Sequence, residues 1–237
     1  TVPTMAPAVQ EAGLHAQQQL REAAASWWQT EASDICVVDG VVHGPAGSGC
    51  EATIQELMAE LSGFVIQGQG TRQANTTDTS IRPFGVQCAE VEVNVDTGEI
   101  TVVRIVSAPD CGRVINPLLA ESQVIGGVTQ GIGFALTEQR VIDDRLGVVL
   151  NQSLEDYLVP TTADVPPIEH ALVDIPDLRA NPTGSKGLGE LPLIPCAPAI
   201  ANAVFDATGI RFTHLPLSRQ VVLDALAASR QGDKSHA

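Results

Sequence analysis

The sequence has 237 residues, of which 44% are hydrophobic, and 13 basic against 28 acidic residues give it a net charge of −15. This length allows one large domain or two small ones, and the hydrophobic content allows a packed core. A surface of that charge repels nucleic-acid phosphates and anionic membrane surfaces, so we expect neither as a partner.

The apolar runs, the first residues and the cysteines bear on the origin of the chain and on its cellular compartment. No apolar run approaches the roughly 20 residues of a membrane helix, and no signal peptide is predicted at the start. The first residue is Thr1 rather than Met, so we expect a chain trimmed, cleaved or taken from a longer protein. Five scattered cysteines without a CxxC pair favour free thiols in a reducing compartment over a zinc or iron–sulfur site. We therefore predict a cytoplasmic location.

Residues 1–61 are predicted to form a helix–hairpin–helix subdomain. Small and apolar positions recur over 7–27, which indicates a helix that begins at Pro7, where a missing N–H costs nothing. Asp39-Gly40 separates two short apolar runs, which is a strong hairpin signal. The second helix is predicted over 52–61.

Residues 62–83 show little periodicity and are predicted to be a loop or linker. Residues 84–237 are predicted to form a larger subdomain in which hairpins and helices mix without βαβ alternation, which indicates an α+β fold. Its predicted elements are strands over 90–95 and 100–107, a helix over 118–138, short strands near 141 and 148–150, a strand over 168–174, and helices over 196–208 and 216–229.

Four glycines lie inside the predicted helix 118–138, at positions 126, 127, 131 and 133. Each costs about 0.5–1 kcal/mol relative to alanine, so we expect a close approach to the backbone or a kink. Two interpretations stay open. The glycines could pack against another helix, or bare backbone and amides such as Gln123 could face a flat heterocycle. The spacing fits neither a phosphate loop nor a dinucleotide fingerprint.

Small residues surround one carboxylate in the segment 184–192, which reads Gly-Ser-Lys-Gly-Leu-Gly-Glu-Leu-Pro. Glycines let a backbone approach a ligand closely. An apolar pocket raises the pKa of a carboxyl group and makes it a better base near neutral pH. Glu190 is therefore a candidate general base, and an ordinary surface turn with a solvated glutamate is the alternative.

The order of these segments resembles the C-terminal part of the molybdopterin-binding large subunit of molybdenum hydroxylases, the xanthine dehydrogenase and aldehyde oxidoreductase family. The likeness is strong over about 84–220 and leans toward bacterial aldehyde oxidoreductases. The matching segments are 84–93, Asp96-Thr97-Gly98-Glu99, 110–117, 123–138, 151–166, Lys186-Gly187-Leu188-Gly189-Glu190 and 197–209.

The resemblance implies oxidative hydroxylation of an aldehyde or N-heterocycle, with oxygen from water, at a molybdenum held by a pyranopterin or its cytosine dinucleotide. Glu190 ends the family's GxGE motif and inherits the role of base. The implied cofactor contacts are Gln123, Ser185, Lys186, Gly187 and Gly189. The family holds its metal through the pterin, so no protein metal ligand is expected, and Asp110 and Cys111 are interpreted as structural. The segment 67–71 looks like another family motif but lies out of order, so we interpret it as a chance likeness.

The family's large subunit is much longer than this chain, so the resemblance also implies partners. These are the rest of the molybdopterin subunit, an iron–sulfur subunit and a flavin subunit, with a homodimer as a further option. We expect no iron–sulfur cluster or flavin in this chain itself, and little or no turnover by the chain alone.

Two alternatives to this interpretation stay open. Export to the periplasm with a partner subunit is the alternative location. The competing hypothesis is a non-catalytic fragment that folds and self-associates without cofactor. The substrate stays open, because the residues that select it are expected in the missing half.

Overall fold

A computed structural model describes residues 2–61, 63–74 and 80–234, with side chains described up to residue 230. The chain divides into two compact units, residues 1–78 with 178–183, and residues 79–177 with 184–237. Helices and strands mix in the fold, which confirms the predicted α+β class. None of the described helices is long and apolar enough to cross a membrane.

The first unit packs helices on a small antiparallel sheet of order β1-β2-β3. The predicted hairpin is confirmed, with Asp39 and Gly40 in the turn at positive φ. Thr53 and Glu56 form a capping box that starts the second helix. The elements are α1 (Val2–Trp28), a short 3-10 turn (Ala32–Asp34), β1 (Cys36–Val38), β2 (Val41–His43), β3 (Glu51–Thr53) and α2 (Ile54–Glu60).

The prediction that α1 begins at Pro7 is wrong, because the helix begins at Val2 and Pro7 lies inside it. A proline inside a helix leaves the carbonyl four residues earlier without its N–H partner. Here that carbonyl belongs to Pro3, and the Nε of Arg72 donates to it at 3.2 Å. A side chain distant in sequence therefore replaces the lost helical hydrogen bond.

The described part of the segment after α2 has no regular element and lies along α1. The backbone N–H of Gln69 donates to Nδ1 of His15 at 3.1 Å. A Cβ at Gly68 or Gly70 would collide with carbonyl oxygens of α1. The two glycines of the motif-like segment 67–71 are therefore used, within this unit, for packing against a helix.

The second unit is built on a three-stranded sheet of order β4-β5-β8, in which β5 pairs antiparallel with β4 and parallel with β8. Helix α4 packs on β4, and α3 packs on α4. The elements are β4 (Phe84–Val93), β5 (Ile100–Asp110), α3 (Pro117–Leu136), β6 (Ile142–Asp143), β7 (Val148–Val149), β8 (Ile168–His170), α4 (Cys196–Thr208) and α5 (Arg219–Lys234).

Several predicted boundaries in this unit are wrong. The strand expected over 90–95 spans Phe84–Val93, and the strand expected over 100–107 runs on to Asp110. The last helix was expected from residue 216, but it begins at Arg219. The N–H of Leu217 donates to the carbonyl of Ala135 at 2.7 Å, so this buried residue is bound to α3 instead of starting a helix. The strand expected over 168–174 ends at His170, and beyond it only an isolated bridge at Val173 continues beside β5.

The core of the second unit joins the sheet to α3, α4 and α5. Its most deeply buried side chains come from all of these elements, so the middle of β5 is packed against the helices. Fully or almost fully buried members are Ile105, Val124, Val128, Ile132, Cys196, Ile200, Val204, Leu217 and Val222.

Candidate active site on a glycine turn

The candidate site is a turn that is fastened to the chain just after β5. The N–H of Arg113 donates to the carbonyl of Gly184 at 2.8 Å, and the N–H of Lys186 donates to the carbonyl of Cys111 at 2.6 Å. Residues 184–186 therefore form a short, backbone-bonded strip beside 111–113.

Gly112 allows the two sides of this strip to lie close together. Gly112 has φ +67° and pairs with Ser185, and a Cβ on it would collide with the carbonyl oxygen of Gly184. Both the left-handed backbone and the lack of space require glycine at position 112. Ser185 is 2% exposed. It therefore belongs to the scaffold of the turn and not to its surface.

Lys186 is fixed by a buried ion pair. Its Nζ lies 2.6 Å from Oδ2 of Asp110 and 3.9 Å from Oδ2 of Asp177, and the Lys186 and Asp110 side chains are only 7% and 9% exposed. Oδ1 of Asp110 accepts a hydrogen bond from the N–H of Gly112 at 2.9 Å. Asp110 therefore binds both strands of the strip, and the charge of Lys186 is neutralised inside the protein.

Beyond Lys186 the turn is open. A Cβ at Gly187 would meet nothing within 4 Å, and one at Gly189 would meet only Oε1 of Gln123, at 4.0 Å. Within the described chain, the N–H groups of Gly187 and Gly189 donate no hydrogen bond. Glu190 and Gln123 are exposed beside them. This surface offers free backbone donors, an amide and a carboxylate to a flat polar ligand, and such donors fit a pterin.

The residues after Glu190 are fastened to the sheet and to α3. The carbonyl of Glu190 accepts from the N–H of Leu193 at 3.0 Å, which closes a tight turn. The carbonyl of Pro192 accepts from Nε2 of Gln87 on β4 at 2.5 Å. The ring of Pro192 also fills the space over Gly127. Glu190 is thus carried between two anchors, one at Lys186 and one at Pro192.

The glycines of α3 are mostly covered by this chain itself. Three of the four make a close approach that a Cβ would block, and Gly126 alone of the four has open space. The covering atoms belong to Pro192 at Gly127, to Cys196 at Gly131, and to Glu138 and Pro160 at Gly133. At those three positions the structure supports the packing interpretation rather than contact with a heterocycle.

The buried cysteines near the site are not poised to react or to bind a metal. Burial raises the pKa of the Cys196 thiol to about 12, and its Sγ lies 3.5 Å from the carbonyl of Val128. Burial also raises the pKa of the Cys111 thiol. Among the described residues, no group of three or more His, Cys, Asp or Glu side chains could hold a metal ion.

The structure thus separates the predicted site residues into two layers. Gln123, Gly187, Gly189 and Glu190 lie at the surface of the turn, whereas Ser185 and Lys186 lie in the scaffold. The residues that the structure describes do not enclose Glu190, so a dry pocket around it needs a further covering surface.

Sequence reasoning did not identify two anchors, Gln87 and Pro192. Sequence spacing carries no signal for the contact of Gln87 with Pro192, because 105 positions separate the two residues.

Comparison with known proteins identifies the class. The sequence model of the molybdopterin cofactor-binding domain family matches residues 1–166. The chain therefore belongs to this family, the molybdopterin-binding part of molybdenum hydroxylases. The match ends before the turn, so the assignment of Glu190 depends on its own motif.

Individual relatives agree with that class. The chain is 35% identical over 216 residues to a xanthine dehydrogenase molybdenum-binding subunit of Escherichia coli O157:H7, covering 90% of this chain and 29% of that protein. It is 43% identical over 143 residues to the aldehyde oxidoreductase molybdenum-binding subunit PaoC of Escherichia coli K12, covering 60% of this chain and 20% of that protein.

Among solved structures, quinoline 2-oxidoreductase from Pseudomonas putida 86 aligns with a TM-score of 0.76 and 27% identity, over 90% of this chain and 28% of that chain. The chain thus spans between a fifth and a third of the length of these three relatives.

Proposed function

We propose that this chain is the part of a molybdopterin-dependent oxidoreductase that presents a general base, Glu190, to the cofactor. The observation that carries the proposal is the open, doubly anchored turn with free backbone donors and an exposed carboxylate. The complete enzyme would hydroxylate an aldehyde or an N-heterocycle with oxygen from water. The names of the relatives support this substrate class, since they refer to aldehydes, xanthine or quinoline.

The residues of the turn have distinct tasks in this proposal. When bound, the molybdenum–pterin cofactor supplies the oxidation chemistry. The N–H groups of Gly187 and Gly189 and the amide of Gln123 bind and orient the pterin. A carboxylate oxygen of Glu190 accepts the proton released as the water-derived oxygen attacks the substrate carbon. The proton acceptor stays in place because its turn is fastened at both ends.

The remaining parts of the enzyme follow from the family. We propose that the rest of the molybdopterin subunit covers Glu190 and excludes water from it, and that an iron–sulfur subunit and a flavin subunit carry the electrons away. The cofactor is a molybdopterin or its cytosine dinucleotide. The cytoplasm, or the periplasm after export with a partner subunit, stays the predicted location.

The test is Glu190→Gln in the complete, cofactor-loaded complex. The glutamine keeps the size of the side chain but cannot accept the proton, so turnover should fall by about 10²–10⁴-fold. Molybdenum and pterin content should match the wild type. Glu155→Gln, at an exposed loop position, is the matched control and should leave turnover unchanged. A Glu190→Gln complex with wild-type turnover would remove Glu190 from the reaction.

A second candidate is a fragment without catalytic function that self-associates, and the exposure of Glu190 and of large apolar side chains such as Leu118, Leu119 and Leu154 favours it. Molybdenum analysis separates the two candidates. The enzyme proposal expects molybdenum and pterin in the complex and little or no turnover by this chain alone. Cofactor-free complexes would support the fragment, and robust aldehyde oxidation by the purified chain alone would contradict both.

A further inference from the structure

Asp110 and Lys186 form a buried ion pair that stability alone does not explain. A buried ion pair gains little net stability, because desolvation of the two charges offsets their attraction, and a pair of apolar residues often serves as well. What such a pair does supply is one fixed geometry. Here it fixes Nζ of Lys186 at 2.6 Å from Oδ2 of Asp110, at the end of β5.

The pair stands where the backbone hydrogen bonds to residues 111–113 end and the turn begins. The backbone of Lys186 is bonded to Cys111, and its side chain is bonded to Asp110. The next residue, Gly187, has empty space around it. Between Lys186 and Glu190, the side chain of Leu188 is partly buried against the core of the second unit. Because Glu190 lies only four residues beyond Lys186, a displacement of Lys186 is expected to shift the Glu190 carboxylate.

The neighbours of the pair strengthen this arrangement. Asp177 lies 3.9 Å from Nζ, and the ring of Phe84 lies 5.8 Å from it. Lys186 is thus surrounded by groups that favour a cation, and its charge is compensated within the chain. An ammonium group bound in this way is a support for the turn and not a free contact for an anionic ligand.

We propose that Asp110 and Lys186 are positioning residues, which act through the turn to hold the Glu190 carboxylate at the reacting atoms. The inference rests on the proposed role of Glu190. Misplacing a catalytic group by about 1 Å can lower a rate roughly 10²-fold. Loss of the pair should therefore lower kcat far more than it changes KM, because substrate binding does not use these residues.

The experiment measures kcat, KM, molybdenum content and amide hydrogen exchange in the loaded complex. The variants are Lys186→Met, Asp110→Asn and the double variant. The double variant leaves neither partner of the pair as a buried, uncompensated charge, so we expect it to fold even if a single variant does not. We expect kcat to fall about 10²-fold at nearly unchanged KM and molybdenum content. Amide exchange over 186–193 should be faster, and Lys186→Arg should restore part of kcat.

Arg219→Met, which removes an exposed ion pair with Glu99, is the matched control and should change neither kcat nor exchange at the turn. A double variant with wild-type kcat overturns the inference, even if exchange at the turn is faster, because the pair would then be structural only. If Glu190→Gln loses turnover while the double variant keeps it, only this inference fails. If Glu190→Gln keeps turnover, the proposed function fails first.

Discussion

Helix α3 and the turn after Lys186 are both rich in glycine, but they differ in whether the space beside the glycines is filled. In α3, the space beside Gly127 and Gly131 is filled by Pro192 and Cys196 of the same chain. At Gly187 and Gly189 of the turn, the space is open and the backbone N–H groups are free of hydrogen bonds within the described residues. Glycine enrichment alone therefore does not mark a ligand site, and open space with unused donors beside an exposed carboxylate is what makes the turn after Lys186 a candidate.

Among the glycine substitutions, the strongest loss of stability is expected where the space beside the helix is already filled, at Gly131. Gly131→Ala places a methyl group into the Cβ of Cys196, between two elements of the core. Overpacking of this kind outweighs the gain of about 1 kcal/mol in helix propensity, so the free energy of unfolding should fall by about 2 kcal/mol. Urea denaturation of the purified chain measures it.

Gly126→Ala is the matched control for that variant, because Gly126 lies in the same helix with no atom near its missing Cβ. It should raise the free energy of unfolding by about 0.5–1 kcal/mol. Equal effects of the two alanines would show that Gly131 is not a packing position.

Gly187→Ala, in the open turn, is expected to affect cofactor content and not the stability of the chain. The free energy of unfolding should change by less than about 0.5 kcal/mol, because the methyl group meets no atom of the described residues within 4 Å. If the pterin lies against this backbone, the added methyl group should weaken its retention roughly tenfold. Molybdenum and pterin per purified complex report the effect. Gly13→Ala, also in open space but on α1, should leave cofactor content unchanged. Normal cofactor content in Gly187→Ala would place the pterin elsewhere.

A pH-dependent loss of stability tests the burial of Cys196 on the covered side. Burial raises the pKa of Cys196 from 9.0 to about 12, so the folded chain keeps the thiol neutral where the unfolded chain ionises. The stability contribution is therefore complete below pH 9 and is lost as pH rises toward 12, by about 1.4 kcal/mol per pH unit at most. Urea denaturation at several alkaline pH values should show this slope in the wild type and a reduced slope in Cys196→Ala. Identical slopes would mean that Cys196 is not buried as described.

The local elements of this fold could be predicted because their signals are local. Asp39-Gly40 between apolar runs defines the hairpin of the first unit, and Val91 and Val93 alternate with glutamates along β4. The start of α1 could not be predicted, because the side chain that compensates Pro7 is Arg72, which is 69 positions from the carbonyl it binds. The sequence pattern that predicts a helix covers only about 20 neighbouring residues, so it carries no information about Arg72.

The candidate site shows the same division between local and distant information. The motif that ends in Glu190 is contiguous and could be recognised from the sequence. The ion pair that supports it joins Asp110 to Lys186 across 76 positions, and the sequence alone led us to expect Lys186 at the cofactor. Which glycines are covered and which are open was also beyond the sequence, since it depends on the packing of Pro192 and Cys196 on α3.

If the open turn carries the base that works at the molybdenum centre, a structure of the loaded complex will show it in the distance from the Glu190 carboxylate to the nearest oxygen at the metal. We expect a hydrogen-bond distance of about 2.6–3.2 Å, with Gly187 and Gly189 against the pterin. A pterin bound away from the turn, with Glu190 facing bulk water in the assembled complex, would contradict it.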